Sequence, residues 1–348
     1  MRIVVLCGGL SLERNVSISG GTLICKALRG LGHQAVLVDM FFGLEDIDTP
    51  IEKLFDELPE LREAHVAAEV PDLDAVRAQR KWKSRSMIGQ GVLELCQLAD
   101  VVFLALHGAC GEDGRIQAAL DLRGVKYTGS GCLGSALAMD KDLTKRIVAP
   151  EGVRTPAWRT VTYNSADIPA IATEQELPVV VKPVDSGSSM GVAIAHTREE
   201  LIEALRANLG NRRVILEQYV TGREIDVAVL DGRSLPSIEI IPKQGFYDYV
   251  NKYQAGATVE ICPTPIDPEI ERRLGETALK VHNALGLSGY SRSDYIVDEA
   301  GDIYFLEINT LPGMTPTSLM PQEAAAVGID YETLCQKIVD MALREDGA

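Results

Sequence analysis

The opening residues place the strongest constraint on the fold. Ile3 to Leu6 is a continuous apolar run, short enough for one buried strand, and it ends at Gly8-Gly9. A polar loop, Ser11 to Ser17, leads into a helix-like stretch reaching Gly30, and a second apolar run covers Gln34 to Val38. Strand, helix and strand in so short a span leave the two strands parallel, because a parallel pair needs a crossover and the helix supplies it. A further buried strand over 99–106 ends at His107-Gly108. Open sheets of this kind gather ligands beyond the carboxyl ends of their strands, so Glu13 and His107 belong to one end of the sheet. Glu13 suits an ammonium group and His107 a carboxylate, although a surface glutamate and a core histidine fit the same positions.

The pattern changes at Tyr127-Thr-Gly-Ser-Gly131. A helix is predicted over 135–149, and Pro156 opens the next segment. Strands are predicted over 178–182, 192–195, 213–219, 225–230, 237–241, 295–297 and 303–308. A helix over 268–285 carries Ile270, Leu274, Val281 and Leu285 on one face and stops at Gly286. Residues 44–85 are charged and show no clear period.

With 348 residues, 46% of them hydrophobic, the chain has material for two or three cored domains. A net charge of -16 argues against nucleic acid or an anionic membrane as partner. The seven cysteines include no CxxC pair and no zinc-type spacing, which fits reduced thiols in the cytoplasm. The short apolar N-terminus reads as a core strand rather than a signal peptide. No apolar run is long enough for a membrane span.

The chemistry-bearing residues fall at strand ends and loops. Glu307 and Asn309 are two apart on a strand and project from one face, as do Arg292 and Asp294 before the strand at 295. Asp294, Glu307 and Asn309 make a set of hard oxygen ligands suited to Mg²⁺, with Arg292 beside it for developing negative charge. Lys182 ends an apolar strand, ahead of Gly187-Ser188-Ser189-Met190-Gly191. That hairpin tip has the glycines and hydroxyls of a phosphate loop, and also those of an ordinary turn. It is not a P-loop, since GxxxxGK[ST] is absent from the chain. Lys141 and Lys182 either meet an anion or snorkel to water. Glu217 and Glu224 flank a turn able to face a purine and a ribose. The aromatic stretch Gly245 to Tyr253 contains Lys252 and reads as a lid or as a packed strand.

Taken in order, Glu13-Arg-Asn-Val-Ser, His107-Gly with Gly111-Glu-Asp-Gly, Ser135-Ala-Leu-Ala-Met-Asp-Lys, Lys182-Pro with Gly-Ser-Ser-Met-Gly, Tyr247-Asp-Tyr-Val-Asn-Lys-Tyr, Ser291-Arg-Ser-Asp and Glu307-Ile-Asn-Thr-Leu-Pro-Gly-Met-Thr closely resemble the D-alanine–D-alanine ligase family of the ATP-grasp superfamily. The resemblance runs from about residue 3 to residue 335. It implies an α/β and α+β chain in three parts. These are a Rossmann-like N-terminal substrate domain over 1–131, a central ATP-grasp subdomain with the phosphate hairpin over 132–216, and a C-terminal subdomain with metal site and lid over 217–348. The implied reaction joins two D-alanines through a D-alanyl phosphate, with ATP consumed, for peptidoglycan precursors and hence cell-wall biogenesis and cell shape.

By motif position, the resemblance gives Glu13 the first substrate's ammonium, in a network with Ser188 and Tyr253 that pins the lid. His107 lies near that substrate's carboxylate. Lys141 and Lys182 bind the α- and β-phosphates, Ser189 and Met190 close over them, and Lys252 approaches the γ-phosphate. Glu217 and Val220 bracket adenine and Glu224 holds ribose. Asp294, Glu307 and Asn309 hold two Mg²⁺ or Mn²⁺ ions. Arg292 and the N–H of Gly313 stabilise the oxyanion, while Ser318 and Leu319 receive the second carboxylate. A homodimer and a monovalent cation activator are further family expectations.

Three positions depart from the usual pattern: Asn15 replaces an acid, Gln218 a lysine and Met190 a valine. The intact stretch 247–253 favours an amine as second substrate. The alternatives are D-serine or D-lactate as acceptor, or an ATP-binding regulatory protein without catalysis. The latter would be expected to lose Asp294, Glu307, Asn309 or Arg292, all of which are present.

Overall fold

The structure is a computed structural model that describes residues 1–61, 70–187, 189–211, 213–243 and 257–344. Strand β1 (Arg2–Cys7) is buried from Ile3 onward. Helix α1 (Arg14–Gly30) returns the chain to β2 (Gln34–Asp39), which lies parallel to β1 with Val4 beside Val36. Gly21 permits the close contact between helix and strand, since a side-chain carbon there would lie 2.7 Å from Cys7 Cβ. Helices α2 (Leu73–Gln79) and α3 (Val92–Gln97) precede β3 (Val101–Leu104), which flanks β1 on its other side. The order β2-β1-β3 is the parallel sheet that the sequence predicts. Helix α4 (Arg115–Asp121) follows.

The single helix expected over 135–149 is instead α5 (Cys132–Met139) and α6 (Lys141–Val148). Asp140 separates them: its backbone is extended, and its carboxylate accepts the Leu143 N–H at 2.9 Å. Such an N-cap starts a new helix. Lys141 therefore opens α6, and Lys145 lies one turn later on the same side.

The second sheet comprises β4 (Trp158–Val161), β5 (Val179–Pro183), β6 (Ala193–Ala195) and β7 (Val214–Gln218), with α7 (Ile168–Glu174) and α8 (Arg198–Ala207) between them in sequence. All its pairs are antiparallel, in the order β4-β7-β5-β6. Strands β5 and β6 form the expected hairpin around residues 184–192. Val179, Val181, Val214 and Leu216 point into a core with Leu201 and Leu205 of α8. The alternate residues Lys182 and Glu217 point the other way.

The third sheet holds β8 (Arg223–Leu230), β9 (Arg233–Ser234), β10 (Ile238–Pro242), β11 (Thr258–Ile261), β12 (Tyr290–Val297) and β13 (Ile303–Asn309), with α9 (Pro268–Ala284) between β11 and β12. Its path is β11-β10-β8-β12-β13, again antiparallel. Strand β12 starts five residues before the predicted 295. The early part, Tyr290-Ser-Arg-Ser-Asp294, pairs fully with β8, and its buried Ser291 and Ser293 gave no apolar run to read. One face of the sheet packs Ile225, Val227, Tyr295 and Phe305 against Leu274 and Val281 of α9. Ala138 of α5 and Val148 of α6 join that same core. Helices α10 (Leu319–Ala326) and α11 (Tyr331–Leu343) close the chain. Leu334 and Ile338 of α11 return to the core of the first sheet beside Ile3 and Leu28. Among the described residues, no helix is long and apolar enough to cross a membrane.

His282, near the end of α9, is buried with Nδ1 2.7 Å from Ser291 Oγ. Burial pushes its pKa from 6.5 down to about 4. The folded state therefore holds the neutral ring while the unfolded chain takes up a proton near 6.5. The stability this contributes is present above 6.5 and is lost as pH falls toward 4, by at most about 3 kcal/mol. His282→Gln should flatten the stability profile in that window. Urea melts giving parallel pH profiles for the two proteins would contradict the assignment.

Candidate active site

The opposite face of the third sheet carries the charges. Across β12 and β13, Arg292 stands opposite Asn309 and Asp294 opposite Glu307, and β8 adds Asp226 opposite Asp294. The ladder slips between Asp294 and Tyr295, so Glu307 pairs at one step and Phe305 at the next. Leu306 is the extra residue of a β-bulge, and it changes which residues of β13 face outward. Before it Ile303 and Phe305 enter the core; after it Ile308 does, leaving Glu307 and Asn309 on the charged face.

Arg292 is fixed on that face. Its Nε lies 2.8 Å from Asp226 Oδ2 and 3.0 Å from Asp294 Oδ1, and its second nitrogen donates to Asp294 Oδ2 at 3.1 Å. The Asn309 amide lies 3.5 Å from Asp294 Oδ1. Two carboxylates directly opposed on neighbouring strands repel unless cations flank them. Here Arg292 attends Asp294 and Lys141 Nζ attends Glu307 at 3.1 Å. Among the described residues, no cluster of three His, Cys, Asp or Glu side chains cages a metal by itself. Two carboxylates and one carboxamide suit Mg²⁺, which leaves coordination positions to phosphate oxygens and water.

The second sheet faces this row with its own polar side. Glu217 is 2% exposed, with Lys182 Nζ 2.6 Å from one carboxylate oxygen and Lys145 Nζ 2.5 Å from the other. Burial pushes the Glu217 carboxyl up, but the two lysines together hold it below its ordinary value. Lys141 also donates to Ser186 O at 2.6 Å, at the root of the hairpin loop. In that loop Ser189 is left-handed, with φ of 56°, and Met190 N–H donates to Gly187 O at 3.1 Å. Val220 follows β7 and is half-buried, and Glu224 lies on the charged side of β8, two residues from Asp226.

The loops of the first sheet meet the same place. Glu13 precedes α1, and its carboxylate lies against both Gly187 and Gly108: a Cβ at either would come within 2.6 or 2.8 Å of Oε2. His107 is buried with Nδ1 3.0 Å from Leu311 O, and burial lowers its pKa. Glu112 accepts the Gly108 N–H at 2.8 Å and the Leu311 N–H at 3.0 Å. Burial first and Glu13 second push its carboxyl up to about 8. A 20 Å³ cavity, room for one water, lies among Glu112, Lys141, Ser186, Gly187, Glu307 and Asn309.

Beyond Leu311 the chain turns through Gly313, where a Cβ would lie 2.9 Å from Ser318 Oγ. Ser318 is the N-cap residue of α10, and its hydroxyl receives the Thr315 N–H at 3.1 Å. Leu319 begins the helix, so its free N–H groups favour an anion there. The structure thus brings together Glu13, His107, Lys141, Lys182, Ser189, Met190, Glu217, Arg292, Asp294, Glu307 and Asn309 around one cleft. Ser188, Lys252 and Tyr253 lie outside the described residues. Sequence reasoning missed Lys145, Glu112 and Asp226. Each had a signal: Lys145 one turn after Lys141, Glu112 within a glycine-bounded acidic pair, Asp226 two residues after Glu224.

Residues 2–130 match a family model of the D-ala D-ala ligase N-terminus, and residues 148–340 one of the D-ala D-ala ligase C-terminus. A D-alanine–D-alanine ligase of Pediococcus pentosaceus is 40% identical over 342 residues, 97% of each chain. One of Lacticaseibacillus casei is 38% identical over 346 residues, 99% of this chain and 96% of the relative. Among solved structures, a D-alanine–D-alanine ligase of Bacillus anthracis complexed with ATP has a TM-score of 0.72 at 30% identity, covering 99% of this chain and 98% of that one. The VanG D-Ala:D-Ser ligase of Enterococcus faecalis has a TM-score of 0.74 at 27% identity, covering 98% and 99%.

Glu112 ties the first sheet's loop to the chain beyond β13 through two buried N–H groups. Glu112→Ala leaves both unpaired and should cost about 2–4 kcal/mol in urea unfolding. Glu112→Gln keeps one of the two acceptor oxygens and should recover at most about half of that loss. Equal losses for the two substitutions would remove the hydrogen-bonding role.

Proposed function

The chain belongs to the D-alanine–D-alanine ligase family, an ATP-dependent enzyme family of ATP-grasp fold, and we propose which of its residues carry the joining of two D-alanines for peptidoglycan precursor synthesis. The observation that supports the assignment best is the row Asp226, Asp294 and Glu307, with Arg292 and Asn309 beside it, facing Lys182 and Glu217 of the second sheet.

A carboxylate is a poor electrophile with a poor leaving group. Transfer of the γ-phosphoryl from ATP to the first D-alanine's carboxylate oxygen gives an acyl phosphate and ADP, and cures both faults. The second D-alanine's amine then attacks the acyl carbon. The tetrahedral adduct expels phosphate, and the amine's proton is lost to give the dipeptide.

In this reading Glu13 holds the first ammonium, and His107, kept neutral by burial, hydrogen-bonds near the first carboxylate. Lys141 and Lys182 bind the α- and β-phosphates under the loop of Ser189 and Met190. Glu217, Val220 and Glu224 border the nucleoside. Asp294, Glu307 and Asn309 would hold Mg²⁺ or Mn²⁺, two ions in the family pattern, and the bound metal would supply positive charge against the phosphoryl oxygens. Arg292 and the Gly313 N–H stabilise the oxyanion, and Ser318 with Leu319 receives the second carboxylate at the start of α10. Ser188, Tyr253 and Lys252 keep their sequence-based roles in lid closure and at the γ-phosphate. All seven cysteines are unpaired, which supports a cytoplasmic, reducing setting. A homodimer and a monovalent cation requirement rest on the family alone.

Glu307→Gln should lower kcat by more than about a hundredfold with an unchanged fold by circular dichroism. Near-normal turnover would remove Glu307 from the metal site. In a competition at neutral pH with ATP, D-alanine and equimolar D-serine or D-lactate, D-alanyl-D-alanine is the expected main product. A dominant mixed product would reassign the second substrate. ATP binding without ADP release in the presence of D-alanine would support the non-catalytic reading.

A further inference from the structure

We propose that Lys145 is a positioning residue for the nucleotide: by neutralising Glu217, it leaves the charge of Lys182 available to phosphate. The inference rests on the reading above, in which Lys182 contacts the phosphates.

Lys145 has no exposed surface. Its Nζ lies 2.5 Å from Glu217 Oε1, donates to Thr155 Oγ1, and lies 3.5 Å from Phe305 O, with the Trp158 ring centroid 5.6 Å away. Two hydrogen bonds and one ion pair to protein groups thus surround the buried ammonium. Lys145 is therefore not placed to touch a ligand itself.

Lys182 is placed differently. It is the next-to-last residue of β5, just before the hairpin loop, and its Nζ meets Glu217 Oε2 at 2.6 Å. Two buried lysines thus share one carboxylate, and the trio carries a net charge of about +1. Removing Lys145 would turn Glu217 and Lys182 into a neutral, desolvated pair. A phosphate would then have to break that pair before gaining the lysine, and a buried carboxylate stripped of its partner is costly. With Lys145 present, Glu217 keeps a counterion when Lys182 turns to phosphate. Burial lowers the Lys145 ammonium, Glu217 draws it back up, and its pKa settles at about 8, so it remains largely charged at neutral pH.

The test is ATP kinetics at saturating D-alanine for Lys145→Met, Lys145→Arg and Lys182→Met. Lys145→Met should raise the KM for ATP about tenfold or more. Its kcat and its KM for D-alanine should stay within about threefold of the parent, a split that a merely structural role for Lys145 does not predict. Lys145→Arg keeps a counterion for Glu217, and its KM for ATP should stay within about threefold of the parent. If Lys145→Met does not fold, Lys145→Arg decides alone: a KM as high as that of Lys182→Met overturns the proposal. An unchanged KM in Lys145→Met, with a raised one in Lys182→Met, refutes the role of Lys145 and leaves the phosphate assignment standing. An unchanged KM in Lys182→Met refutes the phosphate assignment itself, and this inference with it.

Discussion

One extra residue in β13 decides which side chains the third sheet shows to a ligand. Alternation would put Glu307 on the same side as Ile303 and Phe305, inside the core. The bulge at Leu306 breaks the alternation, and Glu307 and Asn309 emerge opposite Asp294 and Arg292. Just before the bulge, the edge-strand backbone of Phe305 engages neighbours outside the ladder: its N–H donates to Arg154 O at 2.9 Å, and its carbonyl lies 3.5 Å from Lys145 Nζ. The metal-type donors and the buried lysine that braces the second sheet therefore meet at one local distortion. Bulges beside functional sites commonly act in this way, re-aiming a side chain that a regular strand would bury.

The chain is strongly acidic overall, yet the cleft gathers Lys141, Lys145, Lys182 and Arg292. Each already has an anionic partner: Glu307 for Lys141, Glu217 for Lys145 and Lys182, Asp226 and Asp294 for Arg292. Placing cations in a low-dielectric cleft costs desolvation energy, and these pairings offset it during folding. In the proposed reading, an incoming polyphosphate meets cations that have already lost their water. Binding exchanges one set of ion pairs for another, which is cheaper than stripping solvated lysines at the moment of binding. The arrangement has its own requirement: the displaced carboxylates must find new partners. Glu307 has the metal in the proposed site. Glu217, being buried, has Lys145.

Much of this was legible in the sequence, for physical reasons. Glu307 with Asn309 and Arg292 with Asp294 are spaced by two, and strand geometry carries that spacing directly to a shared face. Lys182 stands out because a charge ends an apolar run. Gly187 and Gly108 stand out as glycines, and the structure shows the Glu13 carboxylate occupying the space a side chain would take. What the sequence hid depends on tertiary partners. The period-two argument could not reveal that β13 changes parity at Leu306. Asp140 reads as part of a helix until its carboxylate is seen capping Leu143, and without that break Lys145 had no evident partner. Glu112 and Asp226 look like ordinary surface acids because their donors, Leu311 N–H and Arg292, lie far away in the chain. The start of β12 was missed because buried serines and ion-paired residues carry no hydrophobic signal.

The overall backbone does not by itself select the second substrate, since a D-Ala:D-Ser ligase superposes as well as a D-alanine–D-alanine ligase. The structure shows why. Glu323 of α10 is buried and accepts the Ala228 N–H at 2.9 Å. Ala228 stands directly opposite Arg292 in the β8–β12 ladder. The helix whose N-terminus is proposed to receive the second carboxylate is therefore tied to the strand next to Arg292, the proposed oxyanion residue. Tyr331 adds a second tie, donating its hydroxyl to Met314 O at 2.6 Å in the turn between them. With the carboxylate end and the reacting end both fixed to one sheet, the space between them is set by backbone. In the proposed reading, discrimination among D-alanine, D-serine and D-lactate then falls to the side chains lining that space. The sheets supply the common chemistry, and the contacts at the acceptor's own side chain and nucleophilic atom supply the choice.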